Sequence, residues 1–216
     1  MDINFSELSA SQRYHVMTQV IVPRPVAWVL TDNGLDSEHV SLQDKPLSAY
    51  NLAPYSYFNA ISSEPPLVIL SIGNKSSAEL KDTRTNLREG RAAVIHIASD
   101  EDAALVSQTA ATLAHGDSEV ARAGLQLSYN DNWQLPRLTC CKIAMLCRFY
   151  DEKEIGPHRQ GLIFCEIEKV HVDEQVVSMD EKDRIKVDAS KVKPLSRLGA
   201  NEYASFGDIV TLSRPK

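Results

Sequence analysis

Apolar and polar positions change period several times along the chain, and each change marks an element. Ser9 stands three residues ahead of Gln12, the reciprocal pair that opens a helix, so Ser6 to Val20 predicts a short leading helix ending before Pro23. Pro25 to Leu30 is dense in strand formers and runs into Thr31-Asp32-Asn33-Gly34, which reads as a turn. Leu35 to Ala49 is polar and mixed, the pattern of a long hairpin arm or surface insertion. Leu67 to Ile72 and Ala92 to Ile97 are apolar runs interrupted only by Ser71 and His96, expected of strands covered on both faces. Between them Asp82 or Thr83 can cap a helix through Leu87, with Gly90 as the residue that ends it. Two more short helices are expected. One opens on Asp100-Glu101-Asp102, and one runs from Asp117 or Ser118 to Ala123 and closes at Gly124.

Further along, Cys141, Ile143, Met145, Cys147 and Phe149 are apolar while Lys142 and Arg148 fall between them, which predicts a strand with one buried face. Ile163, Cys165 and Ile167 keep the odd phase, but Val170 and Val172 switch to even, which predicts a β-bulge near Glu168-Lys169. Strands dominate and no βαβ alternation or internal repeat is visible. The expected fold class is therefore mostly β with covering helices, arranged as an antiparallel barrel. At about 150 residues per domain, 216 residues suit one domain over 1–216, with an inserted arm at about 35–49 and a C-terminal extension at about 190–216.

A hydrophobic fraction of 43% and a charged fraction of 24% are those of a chain that can bury a sizeable core. The net charge of −6 gives no general attraction for phosphate backbones or anionic membranes, so neither nucleic acid nor a membrane is an expected partner. No apolar run approaches the roughly 20 residues of a spanning helix, and Met1-Asp2-Ile3-Asn4 does not open a leader, so a cytoplasmic protein is expected. Cys140, Cys141, Cys147 and Cys165 read as small core residues and reduced thiols, since the adjacent pair is a strained geometry for a disulfide. The dinucleotide, P-loop, nucleophile-elbow and zincin motifs are all absent. The six histidines lie far apart, so no metal site is expected.

Candidate chemistry concentrates in the first 90 residues. Lys81-Asp82-Thr83 opens a predicted helix, where free N–H groups, the Lys81 charge and the Thr83 hydroxyl would suit one phosphate monoester. Taken alone, the same three residues better describe a plain cap with a solvated lysine. Asn51 to Asn59 places amides, hydroxyls and two tyrosines around a Pro-fixed backbone, suited either to holding a planar heterocycle edge-on or to a structural turn. Arg24, between Pro23 and Pro25, either binds an anion or projects from a stiff turn.

Val22-Pro23-Arg24-Pro25-Val26-Ala27-Trp28-Val29, Asn51-Leu52-Ala53-Pro54-Tyr55-Ser56-Tyr57-Phe58-Asn59, Pro65-Pro66, Lys81-Asp82-Thr83 with Asn86, and Ser196-Arg197-Leu198-Gly199 with Tyr203 occur in an order and spacing that resembles the flavin reductase-like, FMN-binding split-barrel family, which includes flavoredoxin. The resemblance implies an FMN-binding split β-barrel that forms a homodimer with the cofactor near the subunit interface. It places Lys81, Thr83 and Arg24 at the phosphate, Asp82 of the same segment beside the cofactor, and Asn51, Ala53, Tyr55 and Ser56 at the ribityl chain or ring. Ser71 and Asn86 would belong to the same site, with Arg197 and Tyr203 closing it. Members of the family usually pass from the first strand to the Asn51 segment through a short turn, where this chain interposes Leu35 to Ala49. The activity implied is that of an FMN-dependent oxidoreductase passing electrons from NAD(P)H to free flavin, a metal complex or a partner protein. Because the cofactor carries the hard chemistry, no catalytic acid or base is assigned. An FMN-carrying electron-transfer protein without an NAD(P)H site, and a non-flavin binding module on the same barrel, are the alternatives.

Overall fold

In the computed structural model, described over residues 1–34, 40–76, 79–114, 116–213 and 215, a 3₁₀ turn at Phe5–Glu7 leads into α1 (Ala10–Val20). Ser9 caps α1 through the reciprocal bonds its sequence predicts: Gln12 N–H donates to the Ser9 hydroxyl and Ser9 N–H to the Gln12 side chain. Then follow β1 (Arg24–Pro25), β2 (Ala27–Asp32), β3 (Tyr50–Tyr55), β4 (Phe58–Ser63), β5 (Pro66–Ile72), α2 (Asp82–Arg88), β6 (Ala93–Ile97), α3 (Ala103–Gln108) and α4 (Glu119–Ala123). The remainder comprises β7 (Leu127–Ser128), β8 (Arg137–Leu138), β9 (Ile143–Ile155), β10 (Gln160–Val172), β11 (Val177–Met179), β12 (Ile185–Val187), α5 (Ala189–Val192), β13 (Ser196–Arg197) and β14 (Tyr203–Ala204).

Seven strands form one antiparallel sheet in the order β3-β2-β6-β9-β10-β5-β4. Its two edge strands, β3 and β4, are joined by Ser56 and Tyr57 alone. Two residues reach across opposite edges only if the sheet curls back on itself, and since no ladder joins β3 to β4 the resulting barrel is split along that seam. A separate sheet, β1-β13-β14, ties the C-terminal segment to the chain entering β2.

Both faces of the central strands β2 and β6 are covered, which is why the chain is so apolar there, whereas the edge strand β4 is largely exposed. Ala27 and Val29 of β2 point inward with Tyr55, Leu70, Ile72, Ile95, Ile163 and Cys165, and Leu87 of α2 packs against this inner cluster. Trp28 and Leu30 point outward with Leu52, Val94, Ala144 and Leu146, covered by Val106 of α3, Val120 of α4, Leu135 and Leu138. The one-sided reading of 141–149 is thereby corrected, because Ala144 and Leu146 are buried as fully as Cys147. The bulge appears where the phase change predicts it, as a register shift between Ile167 and Lys169, and a second shift between Phe164 and Cys165 bends the same pair again.

Two other expectations are revised. Thr31 and Asp32 belong to β2, and the turn begins only at Asn33, whose N–H donates to Ala49 across the mouth of the β2–β3 connection (2.8 Å). The Asn51 segment is an edge strand as far as Tyr55, with the turn confined to Ser56 and Tyr57: Asn51, Ala53 and Tyr55 pair with Thr31, Val29 and Ala27. Of the predicted arm, Leu35 to His39 lies outside the described residues. Its return, with a 3₁₀ turn at Leu47–Ala49, is fastened by a Lys45–Asp32 ion pair at 2.5 Å.

Candidate functional site

The polar residues of β3 stay in the strand because α2 supplies partners for them. Asn51 Nδ2 donates to Thr83 Oγ1 (2.9 Å) and Thr31 Oγ1 (3.1 Å), and the Tyr55 hydroxyl donates to Thr83 Oγ1 (3.0 Å). Asn86 Nδ2 donates to Thr31 Oγ1 (2.9 Å) and Asn33 Oδ1 (3.1 Å), while Arg91 donates to Asn86 Oδ1 (2.7 Å). This buried web fastens α2 to β2 and β3. Thr83 is 1% exposed and Asn86 fully buried, so both residues position the site from beneath and do not front it.

The start of α2 differs from the sequence expectation. Lys81 is the N-cap and makes no side-chain capping bond, while Asp82 is the first helical residue. Asp82 pairs with Lys75, whose Nζ lies 3.0 Å from Oδ2 and 3.1 Å from Oδ1. The carboxylate that would repel an anion is thus neutralised by a lysine that sequence reasoning passes over. Lys81 is left as the cation of the cluster: Nζ stands 5.7 Å from the centre of the Tyr55 ring, and among the described residues no carboxylate pairs with it. Burial pushes its pKa below the ordinary lysine value.

Lys81, Tyr55 and Pro54 form a ridge between two grooves. On one side, a groove of about 560 Å³ including its open mouth is lined by Asn51, Ala53, Lys75, Asp82, Glu119 and the Thr109–Leu113 segment. On the other, a groove of about 780 Å³ is lined by Tyr14, Ser56, Tyr57, Ser71, Asn74 and Gln160. Ser71 Oγ accepts from Gln160 Nε2 at 3.0 Å. The Tyr57 hydroxyl is buried with no hydrogen-bond partner among the described residues, and burial followed by nearby Tyr14 raises its pKa.

Glu119, also unmarked by sequence pattern, closes the exposed edge of β3. Its Oε2 accepts from Leu52 N–H (2.9 Å), and the neighbouring Ser118 hydroxyl donates to the Tyr50 carbonyl (2.5 Å). Two residues on, the next outward position is Pro54, which has no N–H to satisfy, so the edge is blunted over its length. Burial, with Asp82 adding repulsion, raises the Glu119 pKa.

Arg24 and Arg197 stand apart from this cluster. The Arg24 guanidinium, 6% exposed, donates to the carbonyls of Thr18 (2.7 Å), Ile21 (2.5 Å) and Leu198 (2.6 Å), and Nε reaches Ser56 Oγ at 3.4 Å. In this structure its donors clamp the end of α1 to the C-terminal segment and touch the lining residue Ser56. Arg197, the register partner of Arg24, lies over the Tyr203 ring at 4.5 Å and donates to the Ala200 carbonyl. Within this chain it belongs to the small sheet and not to the wall carrying Lys81. His96 is structural: Nε2 accepts from Leu138 N–H (2.9 Å), which leaves Nδ1 to donate to the Trp28 carbonyl (2.9 Å). His158 lies farther out, in a groove with Asn74 and Gln160.

Comparison with known proteins bears on this arrangement. Residues 17–185 match the family model described as "Flavin reductase like domain". Nitrilotriacetate monooxygenase component B from Bacillus cereus is 30% identical, with a TM-score of 0.81 and 98% of each chain covered. The 2-nitrobenzoate 2-nitroreductase of Pseudomonas fluorescens is 28% identical, with a TM-score of 0.80 over 100% of this chain and 96% of that one. A Shewanella frigidimarina protein with a split barrel domain shares the fold at 15% identity, with a TM-score of 0.78 and 100% of both chains covered. No described helix is long and apolar enough to cross a membrane. A family match over most of the chain, on a sheet split along the seam where Ser56 and Tyr57 lie, makes this chain a member of the flavin reductase-like family.

Proposed function

We propose that this protein is an FMN-dependent oxidoreductase that takes reducing equivalents from NADH or NADPH and passes them to free flavin, a metal complex or a partner protein. Family membership and the two enzymes of similar sequence support flavin-related redox chemistry. The observation that carries the cofactor assignment is Lys81, a partly desolvated ammonium with no described anionic partner, on a ridge flanked by hydroxyls and an aromatic ring. A phosphate monoester answers the ammonium, and a polar, hydrogen-bonding body answers the orphaned Tyr57 hydroxyl, so the residues present fit FMN.

When bound, FMN supplies the hydride-accepting chemistry. In this reading Lys81 holds the phosphate, and Ser56, Ser71 and Tyr57 offer hydroxyls along the groove. Ala53, Pro54 and the Tyr55 ring form the wall that excludes water. Asn51, Thr83 and Asn86 keep α2 and β3 in register, and Asp82 holds Lys75. Arg24 fixes α1 and the Leu198 turn, and Arg197 completes the site from the partner subunit of a homodimer. The homodimer is supported by α1, which buries only Thr18 and leaves Tyr14, Met17 and Val20 exposed, as is Ile21 just after it. We place the protein in the cytoplasm, in keeping with four free cysteines. The resemblance to a monooxygenase component supports a separate protein as the acceptor.

The visible absorption spectrum tests this directly, before and after anaerobic addition of NADH and then NADPH. A yellow protein bleached by one of them is the expected result. A yellow protein that stays oxidised assigns it to electron transfer without a pyridine-nucleotide site, and a colourless one that takes up no added FMN refutes the cofactor assignment.

A further inference from the structure

Independently of the flavin site, the chain brings together two thiols and a carboxylate that share no sequence motif. We propose that Asp102, Cys140 and Cys141 bind one thiophilic divalent cation of the zinc class. The three ligand atoms all lie within 4.8 Å of one another. The sulfurs of Cys140 and Cys141 are 3.9 Å apart. Two thiolates about 2.3 Å from one tetrahedral ion stand about 3.8 Å from each other, so the pair needs almost no rearrangement to share a metal. A disulfide would need the sulfurs to close to about 2.05 Å.

The local fold explains how adjacent residues reach one side. Side chains at successive positions of a strand point to opposite faces. Cys140 and Cys141 fall in the turn between β8 and β9, ahead of the strand proper, and there both sulfurs turn toward Asp102. The turn is anchored, because Thr139 N–H donates to the Gln126 carbonyl (3.0 Å) and Cys141, 2% exposed, is part of the outer core.

Asp102 is held as firmly. It ends the 3₁₀ turn Asp100–Asp102, and its Oδ2 accepts from Ser99 N–H (3.0 Å) and from the Ser99 hydroxyl (2.9 Å). Both bonds fall on one oxygen, which leaves Oδ1 for the ion and fixes the carboxylate's orientation in the way metal sites require. Cys140 is exposed, so the fourth position opens to solvent. Binding forms two metal–sulfur bonds and one metal–oxygen bond and releases the two thiol protons to solvent.

The test uses the full chain, fully reduced and without added flavin, titrated anaerobically with Cd²⁺ and separately with Co²⁺. One equivalent is expected to produce thiolate-to-metal charge-transfer absorption, and with Co²⁺ visible bands of tetrahedral intensity. Cys140→Ser, at an exposed position, abolishes the charge-transfer band, and Asp102→Asn, which keeps an oxygen for Ser99, weakens binding about tenfold or more. Bound metal also protects Cys140 of the unmodified protein from alkylation, read by peptide mass, which needs no variant to fold. Absence of the band at stoichiometric metal overturns the site. So does a band that survives Cys140→Ser, an affinity unchanged in Asp102→Asn, or alkylation of Cys140 at the same rate with and without metal.

Discussion

Thr83→Val isolates the polar web beneath the grooves, because valine keeps the shape of threonine and removes only the hydroxyl. Thr83 Oγ1 accepts two buried hydrogen bonds, from Asn51 Nδ2 at 2.9 Å and from the Tyr55 hydroxyl at 3.0 Å. Asn51 keeps its second acceptor, Thr31 Oγ1, so its loss is partial. Tyr55 keeps none that the web supplies. Stranding one buried donor costs about 1–3 kcal/mol, which puts the variant about 2 kcal/mol below the parent. Tyr55→Phe alone leaves Thr83 still bonded to Asn51 and costs about 1 kcal/mol. The double variant removes donor and acceptor together, so it falls short of the sum of the single losses, with a favourable coupling of about 1 kcal/mol. Urea unfolding of the four proteins, followed by tryptophan fluorescence, measures the cycle. A Thr83→Val protein as stable as the parent, or a double variant whose loss equals the sum, refutes the web as the element joining α2 to β3.

The other expectations bear on separate parts of the molecule. Lys81→Ala weakens FMN binding by about 1.5–3 kcal/mol, the size of a charge-assisted hydrogen bond, measured by quenching of flavin fluorescence; unchanged affinity removes Lys81 from the site. Burial lowers the His96 pKa to about 4, against the opposing bond to Trp28. The folded state therefore takes up this proton less readily than the unfolded chain. The contribution is whole above the unfolded value of about 6.5 and is lost as pH falls toward 4, amounting to about 3 kcal/mol at most. An NMR titration in which the His96 ring takes up its proton near pH 6.5 contradicts this. Gly161→Ala places a methyl 2.7 Å from both Arg84 Nε and Glu152 Oε1, atoms locked in a buried ion network, so thermal unfolding is expected to show a loss of about 1–3 kcal/mol. A parent-like melting temperature shows that the network yields.

Local chemistry carried much of the architecture. The Ser9–Gln12 box, Gly124 after α4 and the phase change near Glu168 each have a cause within a few residues, and each is read directly from the chain. The Asn51 segment misleads because its polarity is satisfied by Thr83, about thirty positions away, which no local pattern reveals. For the same reason Ala144 and Leu146 look unremarkable until Val106 and Val120 cover them. At the site, Lys81 and Tyr55 were legible as a pair of motifs. Lys75, Glu119 and Gln160 were not, since their roles follow from what the fold sets beside them. Arg24 carries a charge that suggests an anion, yet the carbonyl ends of α1 claim it, a helix-terminus effect visible only once α1 and the C-terminal segment meet.

The two-residue link between β3 and β4 has a consequence for ligand size. Pro54 and Tyr55 stand on one edge of the sheet, Ser71 lies beside the other, and Ser56 and Tyr57 form the floor between them. The span across the groove at that point is therefore a matter of chain length, set by peptide bonds and largely indifferent to how the core repacks. Inserting one residue after Ser56 would widen the seam without changing the identity of any lining side chain. The molecule thus carries a covalent calliper at the base of its groove, and the breadth of what it admits is written in the number of residues there.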